Sequence, residues 1–362
     1  MERVKYDPSE FKMEFAESRF GPAPVFHTPC TPRENFAAMF KGKNPLWMPL
    51  TTDSQTFCPR VDPDNIARGF VFDGEEPYDH AKYGGPDMFG IEWVFVPMVG
   101  GSMEKPGVPH PLKDVNDWRD VIKFPDVNAW DWEGCGERNA AWFEKNKKFD
   151  ISSMLLNGMG FERLVSFMGF EEAAIALIDD EQIDAVRELA NEICDKVYIP
   201  YVTNMKKYCP GLTRITLHDD WGSQRAPFFS LDSVREAYVD VYKKFNEHVK
   251  SLGLIAEVHS CGKNDMVVPA YIESGFETWN GMYMNDKRKL FELYGDKFIF
   301  AVDPPAVADD MNASEDDIWA GAKEFCEFYI RDGKCRTIAN CIRKNPNFIA
   351  AVYQISRIML NS

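Results

Sequence analysis

The residues best equipped for chemistry are His259 and Cys261, the outer members of a His-Ser-Cys triplet that runs into Gly262. An imidazole and a thiolate both suit Zn²⁺, and a second cysteine, Cys341, stands near the C-terminus as a third ligand. Three protein ligands leave one tetrahedral position open for a substrate, the count expected of a catalytic zinc. The plain alternative is a strand-end pair and an unrelated buried thiol.

Asp219 and Asp220 would orient a zinc-bound histidine, position substrate or relay a proton, and Asp303, before two prolines, is a similar candidate. The plain reading of all three is a capping or salt-bridged loop residue. Asn157, His218 and Gln224 are candidate hydrogen-bonding groups of a pocket. Met159, Trp221 and Trp279, with Met154 and Met282, are candidates for its apolar wall, although such residues near strand ends more often simply pack.

These residues need elements to bring them together. The triplet ends an apolar run, 254–258, that reads as a strand, and side chains two apart on a strand share a face. Further strands are predicted at 151–157, 214–218, 278–280, 298–302 and 336–340. Helices are predicted at about 181–207, 231–252, 314–331 and 346–360, with Ser230 or Asp232 capping the second and Ser314 the third. Residues 1–150 are rich in Pro, Gly and aromatics and read as short strands, turns and one or two helices, packed on the rest as one structural domain.

Alternation of strand and helix favours an α/β fold with a parallel sheet, and a (β/α)₈ TIM barrel fits the length of 362 residues. A doubly wound open sheet is the other option. In a barrel the strand ends at 157, 218, 259, 303 and 340 would share one mouth. Residues 151–362 would supply the remainder of the barrel after an elaborated N-terminal region carrying its first elements.

Composition narrows the partners. A hydrophobic content of 45% is enough for a sizeable core, and a net charge of −16 argues against nucleic acid or an anionic membrane surface. No segment reads as an export signal or a membrane span, and nine cysteines, an odd number, fit reduced thiols. The expectation is a cytoplasmic protein that handles a small molecule, and the sequence is compatible with a homodimer.

From about residue 151 onward the chain resembles the uroporphyrinogen decarboxylase superfamily. The likeness rests on the segment Asp219-Asp220-Trp221-Gly222-Ser223-Gln224, the turn His259-Ser260-Cys261-Gly262 and the strand at 298–304. The earlier stretch, with Trp93 and the run from Asp126 to Trp132, is similar to a longer branch of that superfamily. The resemblance implies a (β/α)₈ barrel and one of two chemistries. Its decarboxylases carry an Arg-Gln-Ala-Gly-Arg segment near the N-terminus, whereas this chain reads Leu50-Thr51-Thr52-Asp53-Ser54-Gln55-Thr56-Phe57. Its methyltransferases carry a His-x-Cys pair and a distant third cysteine on zinc, which His259, Cys261 and Cys341 match. Cys335 is the rival for the third place, less well set at a strand end.

The resemblance thus implies a zinc-dependent methyltransferase working with cobalamin. The chain has no Asp-x-His-x-x-Gly segment to hold a corrinoid, so cobalamin would arrive on a separate corrinoid protein. The expected reaction is demethylation of a small methylated substrate, in the manner of the methyltransferase components of O-demethylases acting on methoxylated aromatics. Methyl transfer from methylcobalamin to a thiol is the same chemistry reversed. A decarboxylase that needs no zinc and a tetrapyrrole carrier without turnover are the competing readings.

Overall fold

The computed structural model describes residues 1–18, 21–74, 77–98 and 100–362. They form two compact units, one of residues 1–55, 147–150 and 278–362, the other of residues 56–146 and 151–277.

The frame of the second unit is three parallel strands, β1 (Asp150–Leu155), β2 (Arg214–His218) and β3 (Ile255–Ser260). Ser152 of β1 lies opposite Arg214, and the β2–β3 register runs from Arg214 opposite Ile255 to His218 opposite His259. Nearly every residue of these strands is buried, as expected where both faces of a parallel sheet are covered. Their interior includes a polar layer, with Glu257 accepting from Arg214 at 2.6 Å and from Thr216 at 2.7 Å.

Helix α1 (Phe161–Met168) follows β1, and α2 (Asp240–Ser251) precedes β3. The helix predicted at 181–207 is a single path from Ile183 to Tyr208, widened to a π-turn at Cys194–Tyr198. Pro200 explains the widening, because it has no N–H to return to the preceding turn.

Residues 56–146 carry a three-stranded antiparallel sheet (Gly85–Pro86, Glu92–Val96, Gly101–Glu104) and three helices (Pro63–Ala67, Trp118–Val121, Trp132–Asn146). This is more helix than the Pro-rich composition predicts, because proline at a first turn starts a helix rather than breaking it: Pro63 follows the capping residue Asp62. The region is tied to α1 by Arg163, which lies fully buried between Asp64 and Asp87, 2.8 Å from the latter.

The first unit repeats the α/β pattern with β4 (Thr278–Gly281), β5 (Ile299–Val302) and β6 (Thr337–Ala339), all parallel. Helices α3 (Lys287–Tyr294), α4 (Glu315–Tyr329) and α5 (Pro346–Asn361) connect and follow them. Ser314 caps α4 by accepting from the Asp317 N–H at 3.2 Å. The helix Pro32–Phe40 packs Phe36 and Met39 against Ile299, Ala301 and Ile338. Among the described residues no helix is long and apolar enough to cross a membrane.

Candidate metal centre

Parallel pairing of β2 with β3 places His218 directly opposite His259 at the C-terminal ends of both strands. Their rings stack with centroids 5.1 Å apart and planes 24° from parallel. Cys261 follows β3, with Sγ 3.5 Å from His259 Nε2. Asp220 follows β2, with Oδ1 3.7 Å from His218 Nε2. One donor atom from each of these four residues lies within 4.8 Å of the others.

Donors around a tetrahedral zinc, with bonds of about 2.0–2.3 Å, sit about 3.3–3.8 Å apart, so modest side-chain rotation closes the set. Two imidazoles, a thiolate and a carboxylate are ligand types that zinc accepts. The residues present therefore fit the ion.

The turn that carries Cys261 is held from several sides. Asp220 Oδ1 accepts the Cys261 N–H at 2.6 Å. Ser260 Oγ accepts from the Trp221 N–H at 2.9 Å and from Asn264 Nδ2 at 3.0 Å. Gly262 has φ +87°, and a Cβ there would lie 2.1 Å from the Gly222 carbonyl oxygen, so only glycine fits.

Behind His218 stands a carboxylate that sequence reasoning missed. Glu162, in the first turn of α1, puts Oε2 2.7 Å from His218 Nδ1 and Oε1 3.0 Å from an Arg68 nitrogen. Burial works against its charge, but the His218 and Arg68 cations outweigh it and hold the Glu162 carboxyl at about 2. Burial likewise opposes the His218 cation, and the adjoining Glu162 carboxylate prevails, raising that imidazole well above its usual range. Burial pushes the Cys261 thiol up, with His218 partly offsetting it. A bound divalent cation would reverse the balance at the thiol by stabilising thiolate.

Asp219 supports this arrangement. Its Oδ1 accepts the Glu162 N–H at 2.7 Å, and its Oδ2 accepts the Phe161 N–H at 3.1 Å, the Trp221 indole N–H at 2.7 Å and the Tyr242 hydroxyl. The carboxylate thus satisfies orphan donors at the start of α1 and sets where Glu162 begins. Burial raises the Asp219 pKa to about 6 despite these donors. Trp221 is fully buried, stacked 4.9 Å from Tyr271, and Met159 is buried among Leu164, Leu189 and Tyr238.

Asn157 is buried at φ +60°, donating to Asp64 at 3.2 Å and accepting from Arg68. Gln224 is exposed on the loop after β2. His218, expected as a pocket hydrogen-bonding group, is one of the four residues whose donor atoms converge here.

Met154 lies on β1 in the second unit, whereas Asp303, Trp279, Met282 and Cys341 belong to the first. Asp303, beyond β5, accepts from Lys287 at 2.7 Å and from Asn340 at 2.9 Å. Trp279 is buried on β4, edge-on to Phe300. Cys341 lies beyond the C-terminal end of β6, its N–H on Thr51 Oγ1 at 2.8 Å and its thiol pushed up by burial and by Asp53. Cys335 precedes β6, in the hairpin of Ile330–Arg331 and Lys334–Cys335.

Glu162 had a weak signal, two residues past the Asn157-Gly158-Met159-Gly160 turn at a predicted strand end. Arg68 had none, being a lone cation in a Pro- and Gly-rich stretch. Both line a cavity of about 740 Å³ together with Trp93, His110, Phe167 and Phe170, and the Arg68 guanidinium sits 4.5 Å over the Trp93 ring.

No family model matches the chain, and no curated protein matches it by sequence. Among solved structures, a methyltransferase from Methanosarcina mazei superposes with a TM-score of 0.55, covering 91% of this chain and 98% of that one at 16% identity. At that identity the likeness establishes a shared fold. A sugar phosphate isomerase/epimerase from Parabacteroides distasonis aligns over 69% of this chain and 81% of its own, with 10% identity and a TM-score of 0.30, too low to carry an argument.

Proposed function

We propose that the protein is a zinc-dependent methyltransferase built on a (β/α)₈ barrel. It moves a methyl group between a small methylated molecule, a methoxylated aromatic, and the cobalamin of a separate corrinoid protein. The observation that carries the reading is the convergence of His218, Asp220, His259 and Cys261 at paired strand ends. The fold shared with a methyltransferase supports it.

Zinc held by His259 and Cys261, with His218 and Asp220 in reach, would supply a Lewis acid for a substrate oxygen or sulfur. The chain's own residues prepare that place. Glu162 fixes the His218 ring through Nδ1, which leaves Nε2 directed toward Asp220 and Cys261. Asp220 pins the Cys261 backbone, and Asp219 positions the start of α1 and hence Glu162. His218 and Arg68 together keep Glu162 ionised, and the stacking of Arg68 on Trp93 sets an aromatic wall at the edge of the neighbouring cavity.

Metal content of protein purified without chelator and reconstituted with zinc tests the reading. About one zinc per chain is expected, lost in Cys261→Ser. Cys341→Ser and His218→Ala, measured alongside, assign the remaining ligand to the thiolate that the sequence favours or to the imidazole beside His259. Methylation of cob(I)alamin by a panel of methoxylated aromatics follows. Absence of zinc from the wild type sinks the proposal.

A further inference from the structure

In the first unit, a cavity of about 680 Å³ opens between the turn after the helix Pro32–Phe40, the end of α3 and the hairpin before β6. Its size is that of a small-molecule site. Arg336 directly precedes β6 and Asp296 precedes β5, so the cavity lies at the N-terminal edges of these strands. Asp303 and Cys341 lie beyond the opposite, C-terminal edges.

The charges facing this cavity run against the chain as a whole. In a protein of net charge −16, Lys43, Arg331, Lys334 and Arg336 line it against only Glu292 and Asp296. Arg331 is accounted for within the protein: it lies 3.6 Å from Glu292 and 4.9 Å over the Phe291 ring. Among the described residues Lys43, Lys334 and Arg336 have no carboxylate partner. The Arg336 Nε is buried without any hydrogen-bond partner. The guanidinium of a residue lining the cavity is thus not fully spent on partners within the protein.

We infer that this cavity binds a small phosphorylated molecule, its phosphate held by Arg336, Lys334 and Lys43. Three cations against the one remaining carboxylate, Asp296, leave a net positive charge of two, more than a single ligand carboxylate neutralises, and a guanidinium fork matches phosphate oxygens. Phe291 and Met39, both largely buried, give the cavity an apolar floor on which the organic part of the ligand rests. None of these residues belongs to the candidate metal centre, so the site is a second one with its own ligand.

The test is calorimetric titration of the full chain with pyrophosphate at low and physiological salt, with citrate as the carboxylate counterpart. A stoichiometric, sub-millimolar interaction with pyrophosphate is expected. It should weaken on the order of tenfold in Arg336→Gln and by a similar factor in the double variant Lys43→Ala/Lys334→Ala. The lysine pair is exposed, so that variant keeps the test valid if Arg336→Gln folds poorly. Absence of binding to the wild type, unchanged affinity in the lysine double variant, or citrate binding as tightly as pyrophosphate would each overturn the inference.

Discussion

Replacing Glu162 by Gln separates a carboxylate that organises a metal ligand from one that merely fills space. The glutamate makes one contact to His218 Nδ1 at 2.7 Å and one to Arg68 at 3.0 Å, and both its ends are mostly buried. Glutamine keeps the volume and one acceptor, but it removes the negative charge that aligns the imidazole and turns an N–H₂ toward one of two cationic neighbours. Loss of a carboxylate behind a metal-bound histidine costs about 10–100-fold in metal affinity, or about 1.4–2.8 kcal/mol.

The assay is competition for zinc against a chromophoric chelator, with the thermal midpoint of the metal-free protein recorded in parallel so that folding losses are subtracted. Arg68→Gln is the companion variant. It leaves the Glu162–His218 contact in place and should weaken zinc by less than about threefold on the same scale. Zinc affinity of Glu162→Gln within twofold of wild type would refute the argument, because His218 would then be neither a ligand nor held by this carboxylate.

Gly262→Ala forces a methyl group onto the Gly222 carbonyl at a backbone angle reserved for glycine, so it should cost about 1–3 kcal/mol in denaturant titration and lower zinc content. Asp219→Asn trades one of two accepting oxygens for an N–H₂ facing backbone donors at the start of α1. A loss of about 1–3 kcal/mol is expected, with weakened zinc binding that Asp219→Glu does not restore. Glu10→Gln removes the charge partner of the buried Arg357, which Glu10 meets at 2.7 and 2.8 Å, and should cost about 3–5 kcal/mol. Burial alone would raise the Glu10 pKa, but Arg357 and Tyr353 hold it below its usual value of 4.5. Its stabilisation is therefore complete above that value and fades as the pH falls through and below it. Acid unfolding of Glu10→Gln should lose this part of the pH slope, and an unchanged slope would count against the pairing.

What the sequence made legible was whatever local periodicity and strand ends encode. The strand predicted at 214–218 appears as Arg214–His218, and those predicted at 254–258 and 336–340 appear within two residues of their observed bounds. Apolar runs flanked by capping residues and glycines leave little freedom there. The closeness of His259 to Cys261 was also legible, since both sit on one strand and its end. Strand register was not: only the pairing of β2 with β3 brings His218 and Asp220 to that pair, and register depends on contacts between segments 41 residues apart, as in His218 opposite His259. Glu162 and Arg68 were harder still, because each is an ordinary charged residue until tertiary packing buries it beside a partner.

The three carboxylates of this region are nonetheless distinguishable by physical role. Asp219 is consumed by donors: four groups use its two oxygens, so it has little capacity left for a substrate. Glu162 is consumed by cations, and its depressed pKa makes it a fixed negative charge rather than a proton carrier at neutral pH. Asp220 is the most exposed of the three, its side chain 30% accessible against 15% for Glu162, and it accepts one backbone N–H on Oδ1 beside the histidine pair. Of the two adjacent aspartates that the sequence presented as equivalent, Asp220 is therefore the one left able to meet a metal ion or a reacting molecule. The difference arises because successive residues leaving a strand face opposite ways, one into the helix start and the other toward the strand end.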